Sequence, residues 1–61
     1  MLSIIVPVLN EAKIIQRQLE DLQVYREQGA ELIVVDGGSE DQTAYLAKFL
    51  ADRVIVSEPG R

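Results

Sequence analysis

Three short apolar runs, separated by two longer amphipathic segments, set the pattern of hydrophobic and polar positions along this chain. The runs cover residues 3–6, 32–35 and 54–56, and they are rich in β-branched Val and Ile without polar alternation. Runs of this kind are typical of strands that are covered on both faces of a parallel sheet. The pattern predicts an α/β fold in the order β-α-β-α-β, with three parallel strands. Pro7 cannot donate a hydrogen bond to a neighbouring strand, so we expect the first strand to end there.

The two segments between the runs show the periodicity of amphipathic helices. Residues 11–28 carry apolar side chains at helical spacing, and Asn10 is predicted as the N-cap of this helix. Residues 41–51 form the second predicted helix, and Ser39 with Gln42 three residues later fits a capping box at its start. The prediction is therefore two helices, each capped by a polar side chain from the loop before it.

The connections between the strands decide how the elements are arranged. Crossovers between parallel strands are almost always right-handed, which predicts the strand order 3-2-1 with both helices on one face of the sheet. The other face would then be bare, although the strands are apolar enough to expect cover on both sides. We therefore expect more chain or a partner to complete the fold. Self-association through the uncovered face or through an edge strand would meet the same need.

The composition narrows the chemistry that the chain can carry out. With 61 residues it is one small domain at most, and it contains no Cys and no His. Disulfide bonds, thiolate or imidazole metal sites and Ser/His or Cys/His catalysis are therefore excluded. A net charge of −4, with two Tyr and one Phe that are not interleaved with cations, argues against nucleic acid as a partner. No run approaches the roughly 20 apolar residues of a membrane span, and we expect a cytoplasmic protein, either free or peripheral to a membrane.

The candidate binding site lies in the two loops that follow the first two strands, at residues 7–11 and 36–41. In open α/β sheets ligands bind at the carboxyl ends of the strands, where these two loops would face each other. The carboxylates of Glu11 and Asp36 suit the hydroxyls of a ribose or the N–H edge of a base. Two simpler roles stay open. Asp36 could bond its own backbone in a turn, and Glu11 could be an acid in the first turn of a helix.

Phosphate and metal binding by the second loop are less well supported by its residues. Gly37 and Gly38 before a predicted helix look like a phosphate cradle, but Glu40 and Asp41 already place negative charge there. The chain has neither a G-x-G-x-x-G motif nor a G-K-[ST] motif. The carboxylates of this loop would suit Mg²⁺ or Ca²⁺, but their spacing matches no EF-hand loop. The residues favour a solvated, capped helix start.

Two segments together resemble the amino-terminal part of a family 2 glycosyltransferase of the GT-A fold. They are Ser-Ile-Ile-Val-Pro-Val-Leu-Asn-Glu at residues 3–11 and Ile-Val-Val-Asp-Gly-Gly-Ser-Glu-Asp-Gln-Thr at residues 33–43. The resemblance implies that residues 1–61 are the incomplete nucleotide-binding part of a larger domain, with a Rossmann-like start. It further implies that the base and ribose of a nucleotide-sugar donor are lined by Pro7, Leu9, Glu11, Asp36 and Gly37. The family often has a second acid at the place that Gly37 occupies here.

The same resemblance implies a reaction and a cofactor. A complete relative would transfer a sugar from a nucleoside-diphosphate donor with inversion, by direct displacement. Its Mg²⁺ or Mn²⁺ would be held by a D-x-D motif after the fourth strand, and its general base lies later still. Neither is in this chain, so we assign no catalytic residue and expect the 61 residues alone to be inactive.

Two other functions stay open on the sequence alone. One is a Rossmann-type dinucleotide-binding fragment, in which Asp36 would accept a hydrogen bond from a ribose hydroxyl. The missing glycine fingerprint after the first strand counts against it. The other is a non-catalytic module that associates with a second copy of itself.

Overall fold

Strands and helices alternate along residues 2–57, which are the residues that the computed structural model describes. Each of the first two strands is followed by a helical segment that returns the chain to the start of the next strand, as parallel pairing requires. The elements are β1 Ser3–Val8, α1 Ile15–Asp21, α2 Gln23–Glu27, β2 Glu31–Asp36, α3 Thr43–Ala47 and β3 Arg53–Val56.

The three strands form one parallel sheet in the order β1-β2-β3, with β2 in the centre. Ile33 of β2 lies opposite Ile5 of β1, and Val35 of β2 lies opposite Ile55 of β3. The predicted α/β unit with three parallel strands is therefore confirmed. Because β1 and β2 are neighbours, the loops that follow them leave the sheet at the same edge.

Strand β1 continues through Pro7, although Pro7 was expected to end it. The N–H of Gly37 donates to the carbonyl of Val8 at 3.0 Å, so the backbone groups of Val8 face β2. Backbone groups of successive strand residues face opposite sides, which turns the nitrogen of Pro7 away from β2. Proline is tolerated where its missing N–H would have pointed to an open edge. The prediction was wrong because it treated proline as a strand terminator regardless of which side its nitrogen faces.

The core lies on one face of the sheet, where the helices pack. Buried and half-exposed positions alternate along β2. On the other face Ile5 is 61% exposed and Ile55 is 44% exposed. The expected bare face is therefore present among residues 2–57. Exposed and buried positions alternate along the strands more than their apolar composition suggested. The buried apolar cluster consists of Val8, Ile15, Leu19, Leu32, Val34 and Ala47.

The predicted helix over residues 11–28 is wrong at its start and in its middle, because α1 begins at Ile15 and the helix is interrupted at Leu22. The N–H of Leu22 donates to the carbonyl of Leu19 at 3.1 Å, a tight turn of the i to i−3 kind. The side-chain amide of Gln23 donates to the same carbonyl at 2.8 Å, in place of the backbone bond of a regular helix. The second helix is also shorter than predicted, since residues 48–50 make turns instead of continuing α3.

Both predicted N-caps are wrong. In the structure α1 starts after Ile14 and α3 starts after Gln42, and neither of these two residues caps its helix with a side chain. The N–H of Thr43 donates instead to Oδ1 of Asp41 at 2.9 Å. The side chains of Asn10 and Ser39 instead accept hydrogen bonds from backbone N–H groups of the opposite loop. None of the helices in the described part of the chain is long and apolar enough to cross a membrane.

Candidate functional site

The loops after β1 and β2 are joined by hydrogen bonds from three successive backbone N–H groups of the first loop. Each N–H donates to a different side chain of the second segment, and we call these three side chains the clasp residues: Ser39, Asp41 and Thr43. The bonds are Asn10 N–H to Ser39 Oγ at 2.7 Å, Glu11 N–H to Thr43 Oγ1 at 2.8 Å and Ala12 N–H to Asp41 Oδ2 at 3.3 Å. The chain before α1 is thus capped by residues far away in sequence.

A hydrogen bond that the second loop donates to the first completes the junction. The N–H of Glu40 donates to Oδ1 of Asn10 at 2.8 Å, while the N–H of Asn10 donates to Ser39. Asn10 has a φ of +50°, in the left-handed region that asparagine tolerates better than most residues. Asn10 therefore serves the loop junction, and this is why it does not cap α1.

Asp41, which is exposed, and Thr43, which is buried, are hydrogen-bonded to each other within the clasp. Thr43 is fully buried, and its hydroxyl accepts from Glu11 while it donates to Asp41. This hydroxyl lowers the pKa of the Asp41 carboxyl below its ordinary value, and the N–H groups of Thr43 and Ala12 act in the same direction, against the opposing effect of desolvation. Asp41 is therefore ionised at neutral pH, with both oxygens engaged by the protein.

Asp36 is 1% exposed and uses only one of its two carboxylate oxygens. Oδ1 accepts from the N–H groups of Gly38 at 2.9 Å and Ser39 at 2.7 Å, which is the turn geometry that the sequence left open for it. Oδ2 is buried and has no hydrogen-bond partner among the described residues. A buried acceptor without a partner costs free energy, so Asp36 retains binding capacity that the fold does not use. Because Oδ2 is hidden from solvent, a ligand reaches it only when the loop around it shifts.

Glu11 is half-buried and lies before the helix, not in its first turn. Its Oε1 accepts from the N–H of Leu9 at 3.2 Å, and its carbonyl accepts from the N–H groups of Ile14 and Ile15 at 3.0 and 2.8 Å. The side chain thus stays at the junction of the two loops. The alternative role as a first-turn acid of α1 is wrong, since α1 has no acid in its first turn.

Leu9 and Gly37 lie against each other at the mouth of this junction. A Cβ on Gly37 would lie 3.8 Å from Cδ1 of Leu9, and Leu9 itself is 55% exposed. Pro7 is placed differently, because strand alternation turns it to the uncovered face while Asp36 faces the helices. Of the predicted set, the structure brings together all residues except Pro7.

Sequence reasoning missed the clasp. It interpreted Ser39 as a cap of its own helix and gave no role to Thr43. A usable signal was present, because short polar side chains recur at every second position, as Ser-x-Asp-x-Thr, directly after the Gly-Gly turn. Side chains two apart in a non-helical segment project to the same side and can meet a neighbouring backbone.

The opposite edge of the sheet holds a cavity of about 300 Å³. Arg26 and Asp52 lie in its wall and form an ion pair at 2.9 Å. The N–H of Leu32 donates to Asp52 at 2.7 Å and lowers the pKa of this carboxyl, with Arg26 as a further cause. Arg26 also donates to the carbonyl of Leu50 at 3.0 Å. These groups satisfy one another, so the cavity marks a junction of the fold and not the predicted site.

The acids of the second loop do not suit a metal ion. Asp41 has both oxygens engaged, and Asp36 is buried. Across residues 2–57 no group of three His, Cys, Asp or Glu side chains could hold a metal. The Mg²⁺ or Mn²⁺ that the sequence resemblance implies, with its ligands outside this chain, stays a prediction for the complete enzyme.

These features define a class of protein: a parallel α/β unit whose polar loops meet at the carboxyl ends of two adjacent strands, where such folds bind ligands. Comparison with known families then gives the particular assignment. The family model described as Glycosyl transferase family 2 matches residues 3–60, and the chain belongs to this family. Neither the curated proteins nor the solved structures gave a match.

Proposed function

We propose that this chain forms the nucleotide half-site of an inverting glycosyltransferase that uses a nucleotide-sugar donor. The observation that carries the proposal is the buried Oδ2 of Asp36, which has no partner among the described residues, at the carboxyl edge of the sheet in a member of this family. Two backbone N–H groups hold the carboxylate through Oδ1, and Oδ2 is left to accept from an N–H donor of a ligand once the loop around it shifts. The edge of a nucleotide base offers such donors.

The other site residues take complementary roles in this proposal. Glu11 accepts a hydrogen bond from a ribose hydroxyl, and the exposed side chain of Leu9 contacts the base beside Gly37. Pro7 acts through the backbone, by fixing the end of β1 that leads into Leu9. The three strands are the start of a GT-A sheet in the order 3-2-1, which is supported by the central place of β2 between two parallel neighbours.

The proposal also orients the nucleotide. The N–H groups of residues 10–12 are already engaged by the clasp residues, one of which is the charged Asp41. The loops therefore receive the base and ribose, and the diphosphate lies away from them. A divalent cation, when bound by the complete enzyme, neutralises leaving-group charge. We place its ligands outside the residues described here, and we expect the 61 residues alone to lack transferase activity.

A binding titration tests the assignment of Asp36. The expressed protein is titrated by calorimetry with the diphosphates of uridine, guanosine, cytidine, thymidine and adenosine, and with NAD. We expect one or more of the nucleoside diphosphates to bind. Asp36→Asn keeps an oxygen for the turn but replaces the acceptor Oδ2 with a donor, and should raise Kd by about ten- to hundredfold.

Glu40→Gln is the matched control, because Glu40 is an exposed acid of the same loop whose side chain takes no part in the clasp. It should bind like the wild-type protein. An unchanged Kd for Asp36→Asn would remove Asp36 from the site. Binding of NAD alone would favour the dinucleotide alternative, and binding of none of the probes would reject the proposed half-site.

A second function, self-association, is favoured by the exposed Ile5 and Ile55 on the uncovered face of the sheet. Covering the apolar side chains of a sheet face with a second apolar layer removes them from water and stabilises the assembly. Sedimentation equilibrium should then show a mass that rises with concentration, and Ile5→Lys should abolish the rise. A mass that stays constant for the wild-type protein would contradict this function.

A further inference from the structure

The segment between β1 and α1 depends for its shape on side chains that come from the other loop. Three of its backbone N–H groups, at residues 10–12, donate hydrogen bonds to the clasp residues. Within the described residues α1 has no side-chain cap of its own. Asn10 also has a left-handed backbone, which must be held by its surroundings. The geometry of this loop is therefore set from outside it.

Ser39 connects this loop directly to Asp36. Its N–H donates to Oδ1 of Asp36 at 2.7 Å, and its hydroxyl accepts from the N–H of Asn10 at 2.7 Å. One residue thus touches the predicted base-binding carboxylate on one side and the first loop on the other. Two hydrogen bonds of Ser39 thus link the first loop to the turn that holds Asp36.

Thr43 provides the second connection, to the residue that carries the other candidate carboxylate. Its buried hydroxyl accepts from the N–H of Glu11 at 2.8 Å and donates to Asp41. Loss of the hydroxyl would leave the N–H of Glu11 without this acceptor in a partly buried position, which the loop can relieve only by moving. The position of Glu11 therefore depends on a residue in α3.

We propose that the clasp residues are positioning residues for nucleotide binding, which hold Leu9 and Glu11 in register with Asp36. This inference rests on the proposed function, because it concerns the same site. It goes beyond that function by assigning a role to three residues that need not touch the nucleotide themselves.

The test combines two measurements on three variants of the expressed protein. Ser39→Ala removes the acceptor of Asn10, Thr43→Val removes the acceptor of Glu11 at nearly constant shape, and Thr43→Ser keeps the hydroxyl but loses the methyl group. Amide hydrogen exchange at residues 10–12 reports on the clasp without any ligand. Titration with whichever nucleoside diphosphate binds the wild-type protein reports on the site.

We expect amide exchange at residues 10–12 to become faster in Ser39→Ala and Thr43→Val, and Kd to rise by about three- to tenfold. Thr43→Ser should retain wild-type values of both. Ala47→Gly is the stability control, because it weakens α3 at a buried position outside the clasp, and its Kd should stay at the wild-type value.

Each contrary result has a distinct meaning. Unchanged exchange at residues 10–12 in both hydroxyl-deleting variants would overturn the inference, as would faster exchange with an unchanged Kd. An equal rise in Kd for Ala47→Gly would reduce the effect to general destabilisation and overturn it as well. If the wild-type protein binds no nucleoside diphosphate, the proposed function itself fails, and that result is seen before any variant is made.

Discussion

Two hydrogen-bonded clusters stand at opposite edges of the same sheet, and each is centred on an aspartate. At the amino edge, both oxygens of Asp52 are engaged, by Arg26 and by the N–H of Leu32. At the carboxyl edge, Asp36 engages one oxygen, and the other is buried without a partner among the described residues. The first aspartate uses both carboxylate oxygens for the fold, and the second uses only one.

This difference distinguishes two features that commonly indicate a binding site, a cavity and a hydrogen-bonding group that the fold leaves unused. The cavity of about 300 Å³ lies at the amino edge, beside groups that already satisfy one another. The carboxyl edge combines an unused acceptor with a left-handed Asn10 and a strand-end position. In this chain, unmet hydrogen-bonding capacity marks the candidate site better than volume does.

The largest expected effect comes from breaking each cluster separately. Arg26→Ala removes the ion pair and the bond to the carbonyl of Leu50, and should lower the free energy of unfolding by about 1–3 kcal/mol while nucleotide affinity stays the same. Asp36→Asn should do the reverse, with a change in stability below about 1 kcal/mol and weaker binding. Urea unfolding and calorimetry measure the two quantities. Loss of nucleotide affinity in Arg26→Ala would show that the clusters are not independent.

A smaller effect distinguishes the two glycines of the carboxyl-edge turn. Gly38 has a φ of +100°, so Gly38→Ala should cost about 1–2 kcal/mol of stability. At Gly37 an added Cβ would meet only ordinary contacts, at 3.7 Å from the carbonyl oxygen of Val8 and 3.8 Å from Leu9, so Gly37→Ala should change stability by less than about 0.5 kcal/mol. Thermal unfolding of the two variants measures the contrast. Equal melting temperatures would contradict the assigned backbone conformation.

The smallest effect is the dependence of stability on pH. The pKa values of Asp41 and Asp52 are both lowered in the folded state from the ordinary value of 3.8, so their contribution to stability is present above that pH. It is lost as the pH falls through the lowered folded values, because the carboxylates must then take up protons. Urea unfolding in acid should therefore show a decline that is reduced in Asp41→Asn and in Asp52→Asn. An acid limb that stays the same in both variants would contradict the assignment.

The sequence predicted the parts of the fold that depend on local pattern and parallel pairing. The β-branched runs became strands, and the two loops meet where adjacent parallel strands end. Helical periodicity did not identify the caps, because the acceptors of residues 10–12 are side chains 29 to 32 positions away. The break at Leu22 depends on the Gln23 side chain, whose amide also donates to Leu50 in a distant turn. Local periodicity contains no information about such contacts.

The distant capping of the first loop also affects the order of folding. Helix α1 has seven residues, too few to persist alone in water, and the bonds that begin its segment come from residues 39–43. We therefore expect the segment before α1 to reach its final shape only after β2 has paired with β1 and the loop after β2 is in place.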